Sequence, residues 1–329
     1  MISGGITAER STRSSGNPYL FIVGCPRSGT TLLQRMVDAH PLIAMTPETH
    51  WVARWYNRKD LTSGGCVTPA LVSKLLAYHR FPLLQISPER VERLIESGEP
   101  VSYSDFVTGI YNLYGSMQGK PLVGDKTPDY VRRIPVLHDL WPRARFVHII
   151  RDGRDVCLSS MSWHKVVHGA GSFGIWAEDP VCTLALWWEW NIQLGREAGG
   201  SLGSDLYYEI RYEALVADPE GECRKLCAFL HVPYDEAMLR FHEGRTRLEP
   251  GLSRKDAWLP ITPGLRDWRT QMAAADQERF EAVAGGLLDG LAYPRAVPNV
   301  PAAALEHAAK MRSSFTQDAP YSVGAQHEE

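Results

Sequence analysis

No run of 18 consecutive apolar residues occurs in this 329-residue chain, so no segment has the length of a membrane-crossing helix. The first 18 residues hold Ser, Gly and Arg but lack the apolar stretch of a secretory leader. The expectation is a soluble, cytoplasmic protein. There is also no C-x-x-C pair. Six cysteines are scattered at 25, 66, 157, 182, 223 and 227, and the closest two lie one helical turn apart. That spacing argues against a disulfide framework or a thiolate zinc site, and all six are expected to be reduced and structural. Neither sign of charge dominates: 35 Lys and Arg face 38 Asp and Glu, a net of -3. A broad nucleic-acid footprint is excluded on that balance, although a local basic pocket is not. No internal repeat is visible.

What the chain does contain is strands alternating with helices. YLFIVG (19–24) reads as a buried strand running into a glycine turn, and Leu32, Leu33, Met36 and Val37 then recur at helical spacing until His40-Pro41. Further strands are expected at 121–125, 145–152 and 206–212, with helices over 130–140, 153–163, 183–196 and 219–230. This order predicts an α/β fold, a central parallel sheet flanked by helices on both faces. One domain over 19–295 is expected, after a flexible segment 1–18. Residues 50–118 and 164–180 break the alternation and are read as insertions covering the carboxyl ends of the strands, where such sheets bind ligands. The tail, 296–329, rich in Ala, Pro and Ser, is expected to be peripheral or mobile.

The first strand leads into "GCPRSGTT". This almost matches the phosphate-loop pattern G-x-x-x-x-G-K-[ST], with Gly24, Gly29 and Thr31 in place but Thr30 where the lysine belongs. A strand, a small-residue loop and a helix N-terminus make an anion site, because the first helical turn has unpaired N–H groups and a positive dipole end. Gly29 permits close backbone approach, and Ser28, Thr30 and Thr31 add hydroxyl donors. Without the lysine, a nucleoside triphosphate loses its grip near the transferring phosphate; Arg27 offers a different cation. The second motif, "RFVHIIRDGRDVCLSS" (145–160), ends a strand at Arg151 and carries Ser159 on the following helix. Arg151 supplies a forked donor and Ser159 a neutral one for a second phosphate.

Together "PRSGTTLL" and "RFVHIIRDGRDVCLSS" resemble the 5′- and 3′-phosphate motifs of sulfotransferases that use 3′-phosphoadenosine 5′-phosphosulfate. "PRSGTTLLQRMVDAHP" followed by "PETHW" is most similar to the tyrosylprotein branch. The likeness continues at "GDKTP", at "RYEALVADPEGECRKLCAFL" and, more faintly, at "GLRDW", so it spans roughly 19–48, 120–162 and 206–270. It implies a P-loop-type fold whose donor lacks a β/γ-phosphate pair, which accounts for the missing lysine and for no metal being expected. Arg27, Ser28, Gly29, Thr30 and Thr31 would then cradle the 5′-phosphosulfate. Arg151 and Ser159 would bind the 3′-phosphate, and Tyr212 would add a nucleotide contact. Glu48 falls at the position of the family's catalytic base, and Lys126 at the lysine that contacts the bridging oxygen or sulfuryl group; Arg27 would join Lys126 in stabilising the leaving phosphate.

Two departures bear on the acceptor. The tyrosylprotein pattern reads Glu-Thr-Arg where this chain has Glu48-Thr49-His50, which weakens the case for an acidic peptide and favours a small-molecule or glycan hydroxyl as partner. Near Trp268 the family lysine is replaced, with Arg266, Arg269, or Ser253 and Arg254 as candidate substitutes. Trp51 and Trp55 are candidates for an aromatic acceptor wall, whereas Trp187, Trp188 and Trp190 have the spacing of core. His164 and His168 are four apart but lack companion ligands, so they are read as loop residues. A P-loop phosphotransferase and a non-catalytic adenine-nucleotide-binding module remain as alternatives.

Overall fold

The computed structural model describes residues 16–96, 98–163, 165–243, 261 and 266–318. β1 (Leu20–Val23) enters the glycine loop and α1 (Thr30–Asp38) leaves it. β2 (Ile43–Thr46) follows, then α2 (Trp51–Trp55), the two-residue strands β3 (Thr62–Ser63) and β4 (Cys66–Val67), α3 (Pro69–Leu76), α4 (Pro88–Glu92) and α5 (Tyr103–Gln118). β5 (Leu122–Lys126), α6 (Ile134–Leu140), β6 (Arg145–Ile150) and α7 (Gly153–Met161) come next. The remaining elements are α8 (Pro180–Leu202), β7 (Tyr207–Arg211), α9 (Tyr212–Ala217), α10 (Pro219–Leu230), α11 (Trp268–Gln271), α12 (Ala274–Gly290) and α13 (Ala302–Asp318).

Five strands form one parallel sheet in the order β2-β5-β1-β6-β7. β1 lies at its centre, with Leu20 opposite both Gly124 and Arg145, so the loops after β1, β5 and β6 emerge side by side. The expected parallel α/β fold is therefore what the chain adopts, and both phosphate-type motifs leave the same end of the sheet.

Strand periodicity sorts the core onto two faces. Phe21, Val23 and Phe146 pack with α5 and α6, while Leu20, Ile22, Val147 and Ile149 pack with α1 and α10. On α1 the apolar spacing puts Leu33, Met36 and Val37 against the sheet, each worth roughly 1.5–3 kcal/mol of burial. A third cluster joins α7, α8, α12 and α13 through Trp188, Phe280 and Met311.

Three expectations need correction. β2 was not foreseen: five apolar or small residues after Pro41 are too short a run to declare a strand, yet Ile43 to Thr46 pair with Leu122 to Asp125. The segment 50–118 is not all insertion. α5 lies on the sheet, with Tyr111 and Tyr114 buried and reaching Asp125 and the Met45 carbonyl. The tail 296–329 is neither peripheral nor mobile over 302–318, because α13 buries Ala308, Met311 and Phe315 and stacks Phe315 on Phe173 at 4.2 Å. That stripe is narrow within an alanine-rich helix, so its period does not stand out. Of the segment 1–18, residues 16–18 are described, and Asn17 is anchored by bonds to Asn112 and Val123.

α7 is fixed by buried charge. Arg154, with no exposed surface, pairs with Asp152 at 2.7 Å and Glu281 at 2.6 Å and lies 3.5 Å from the Trp268 ring centroid. Burial acts to raise the Glu281 carboxyl, but the N–H groups of Ala296 and Val297 with Arg295 and Arg154 prevail and lower it. A depressed carboxyl stabilises the fold above its unfolded value and loses that contribution as pH falls through its folded value. Glu281→Ala is expected to cost about 3–5 kcal/mol in urea unfolding at neutral pH, since it leaves the buried Arg154 to Asp152 alone and takes the acceptor from Arg295 and the Ala296 and Val297 N–H groups, and to make stability less steep below about pH 4.

Candidate active site

The loop after β1 turns through Arg27 in a left-handed conformation (φ 76°) and Gly29 (φ 93°). Gly29 is required there twice over: a Cβ would also lie 2.4 Å from the Tyr212 ring. The first helical bond of α1 runs from Leu33 N–H to the Gly29 carbonyl, so Thr30 and Thr31 belong to the turn whose N–H groups have no acceptor within the helix. Ser28 is fully buried, and its hydroxyl has no hydrogen-bond partner among the described residues.

The two motifs meet here. Arg27 Nε donates to Ser159 Oγ at 3.1 Å, and Arg151 Nη1 reaches the Arg27 carbonyl at 3.5 Å. Tyr212 supports Arg151 from below, with its ring 4.2 Å from the guanidinium, and Trp163 lies beside Arg27 at 5.5 Å. Arg151 is buried yet loosely held: its ion pair with Asp155 is 3.5 Å long and its Nε is unpartnered among the described residues. Burial, then the charges of Arg151 and Arg266, lower the Arg27 guanidinium from its ordinary value. Burial, with the neighbouring Asp152 and Glu213 carboxylates, pushes Asp155 up to about 6 against the pull of Arg151. A buried orphan hydroxyl, an orphan guanidinium nitrogen and three crowded cations fit an anionic ligand of two separated phosphates.

Glu48 and Lys126 form the second half. Lys126 ends β5 and is buried; its ammonium lies 2.5 Å from Glu48 Oε1 and 3.4 Å from Thr31 Oγ1. Glu48 Oε2 contacts His50 Nε2 at 3.2 Å and Arg80 Nη1 at 3.4 Å. Burial works to raise the Glu48 carboxyl, but the Lys126 charge and the His50 hydrogen bond outweigh it and hold it well below the usual carboxylate range. Beside it is a mostly apolar concavity lined by Pro47, Trp51, Arg80, Phe81 and Leu84. Trp51 is thus at the wall, while Trp55 lies behind it at 5.6 Å.

The loop carrying Glu48 is pinned by a buried carboxylate. Asp125, fully buried, accepts from Thr49 Oγ1 at 2.6 Å, Tyr111 at 2.7 Å and Thr127 Oγ1 at 2.8 Å. Thr49 N–H donates to Thr127 Oγ1, and the Tyr130 hydroxyl meets Thr49 Oγ1 at 2.7 Å. Burial raises the Asp125 carboxyl despite those donors.

Of the residues expected to act, Arg27, Ser28, Gly29, Thr30, Thr31, Lys126, Glu48, Arg151, Ser159 and Tyr212 converge on this end of the sheet. Arg266 is exposed, with its charge felt at Arg27. Ser253, Arg254 and His164 lie outside the described residues. Asp125, Thr49 and Arg80 were not anticipated. The first sits inside "GDKTP", whereas Arg80 comes from the inserted segment with no motif to mark it. The only His/Cys/Asp/Glu group with metal-ligand spacing among the described residues is Asp179, Cys182 and His307. There Asp179 caps α8 through Val181 and Cys182 N–H and pairs with His307 and Arg279, so its oxygens are already engaged.

Residues 18–236 match the Sulfotransferase family. The chain belongs to that family. Among curated proteins this family member is 28% identical over 229 residues to protein-tyrosine sulfotransferase A of Caenorhabditis elegans, covering 69% of this chain and 53% of the relative. It is 27% identical over 238 residues to protein-tyrosine sulfotransferase 1 of Danio rerio, covering 69% and 56%. The chain spans about half the length of the curated relatives it matches. Its fold is shared with the sulfotransferase domain of the curacin biosynthetic pathway (20% identity, TM-score 0.59, 84% and 98% covered). The sulfotransferase domain of the Synechococcus PCC 7002 olefin synthase gives 22% identity and a TM-score of 0.56, with 85% and 96% covered.

These relatives overturn the cytoplasmic expectation, which rested on the lack of a leader or span in the sequence. No helix among the described residues is long and apolar enough to cross a membrane, and that fact assigns no compartment.

Tyr111→Phe removes one of three donors to the buried Asp125 carboxylate. It is expected to cost about 1.5–3 kcal/mol in urea unfolding, with the secondary structure unchanged by circular dichroism.

Proposed function

We propose that this chain transfers a sulfuryl group from 3′-phosphoadenosine 5′-phosphosulfate to the phenolic hydroxyl of a tyrosine in a peptide or protein. The observation that carries this reading is the contact of Lys126 with both Glu48 and Thr31, which joins a carboxylate, a cation and the phosphate-type loop at one point. Arg27, Ser28, Gly29, Thr30 and Thr31 would hold the 5′-phosphosulfate, and Arg151, Ser159 and Tyr212 the 3′-phosphate and nucleotide. Arg266 would add charge at the edge.

Glu48 acts as the base. Its Oε1 is engaged by Lys126, which lowers its basicity. Once Lys126 turns to the bridging oxygen of the donor, Oε1 is released to take the proton of the acceptor hydroxyl. As the new O–S bond forms and the bridging S–O bond breaks, the electron pair stays with the phosphate, where Lys126 and Arg27 stabilise it. The reading rests on interactions that grow with transition-state charge.

The relatives' names favour a tyrosine over the small molecule or glycan expected from the sequence. Beside Glu48 the small concavity is lined by Trp51 and Phe81, which give that side of the carboxylate an apolar surface. Arg54, Arg132 and Arg133 lie close enough to one another to lower the Arg133 guanidinium, after burial itself.

Calorimetry without added metal is expected to show adenosine 3′,5′-bisphosphate binding far more tightly than ATP. Arg151→Ala should weaken bisphosphate binding roughly 30-fold or more. Equal affinity for the two nucleotides, or indifference to the mutation, would return the site to a kinase-like or purely nucleotide-binding role. Glu48→Gln is expected to keep bisphosphate binding and lose sulfation of a tyrosine peptide by at least roughly 100-fold.

A further inference from the structure

The two oxygens of Glu48 are not equivalent. Oε1 faces Lys126 and the phosphate-type loop, whereas Oε2 is held by His50 and Arg80. An ionised carboxylate only accepts, so the nitrogen of His50 that meets it, Nε2, carries a proton. On the other side of the ring, Nδ1 lies 4.0 Å from Asp129 Oδ2. Asp129 is itself fixed by Arg132 at 2.9 Å, and Arg132 donates to Asn191 of α8 at 2.8 Å. The imidazole is therefore bracketed by two carboxylates, one of them anchored to the helical layer.

The backbone supports the same conclusion. In ordinary extended geometry a side chain two residues from Glu48 shares its side of the chain but stands roughly 7 Å along it. His50 instead has φ 51° and ψ -38°, outside the regions that non-glycine residues prefer, which brings its ring back onto the carboxylate. Such a conformation costs of the order of a weak hydrogen bond or more and persists only where its surroundings impose it. Here Thr49, immediately before it, is pinned through Asp125, Thr127 and Tyr130.

We propose that His50 is a positioning residue for the transfer reaction: it holds Glu48 Oε2 from Nε2, with Asp129 at the opposite nitrogen, and so reserves Oε1 for the acceptor hydroxyl. This rests on the reading of Glu48 as the base. The arrangement gives the chain an imidazole partner for its base in place of a guanidinium. The charged or titratable groups that face the imidazole are Glu48 on its own loop, Asp129, Arg80, Lys126 and Asp125, and His79, which is lowered by burial, then by Arg80, then by His50.

The test uses the full chain. The Glu48 carboxyl is titrated by carbon-13 NMR, with its signal assigned by loss in Glu48→Gln. His50→Gln keeps a donor but removes the cation, so the Glu48 midpoint is expected to rise by about one pH unit, a tenfold change in proton affinity. His50→Arg restores the cation and leaves the midpoint near that of the parent chain. With a tyrosine peptide as acceptor probe, His50→Ala is expected to lower kcat roughly tenfold to a hundredfold. Its bisphosphate affinity should stay the same, which also shows that the variant has folded. A Glu48 midpoint unmoved in His50→Gln, or moved equally in His50→Arg, overturns the role of His50 alone. Turnover retained by Glu48→Gln removes the base itself and the role of His50 with it.

Discussion

The buried carboxylate of Asp125 ties the loop that carries Glu48 to the strand that carries Lys126. Three hydroxyl donors, from Thr49, Tyr111 and Thr127, converge on one anion that burial would otherwise neutralise. Each donor comes from a different place in the chain: the loop after β2, the helix α5 and the end of β5. A charge so costly to bury is tolerated only when all of these are in register, which makes the placement of Glu48 a consequence of correct folding. Lys126, the next residue along the strand, points to the ligand side because successive strand residues alternate.

Around that anchor the charges are arranged as two unequal halves. The loop and α7 half is cationic and under-satisfied: Arg27, Arg151 and Arg266 crowd one another, and Ser28 and Arg151 keep buried polar atoms without partners among the described residues. The Glu48 half is satisfied internally, with Lys126, His50 and Arg80 all on one carboxylate. A dianionic ligand would relieve the first half and draw Lys126 away from the second. In the proposed reaction, donor binding and activation of the base would be coupled through a single ammonium group.

The strand and helix pattern was readable wherever the period was long and regular. β1, β6, β7, α1 and α10 are where alternation and helical spacing put them, since burial of one face selects those residues. β2 escaped because four short residues carry no periodic signal, and its strand character comes from pairing with β5. α5 was misread as insertion because tyrosines facing a sheet look no different in sequence from tyrosines lining a cleft. α13 was missed since Ala308, Met311 and Phe315 make a narrow stripe on a helix otherwise rich in alanine and charge.

By itself, the sequence determined the parallel α/β order and the two anion motifs with Arg27 and Arg151, because each sits within a contiguous run whose local geometry follows from strand, turn and helix chemistry; Glu48 and Lys126 were singled out only by the resemblance to sulfotransferases. Only the tertiary structure decided that Arg27 and Ser159 touch, that Arg80 reaches Glu48 from an unmatched segment, and that His50 folds back between Glu48 and Asp129. Those contacts join residues from separate elements, or depend on a backbone angle imposed by distant partners. No local pattern encodes either one.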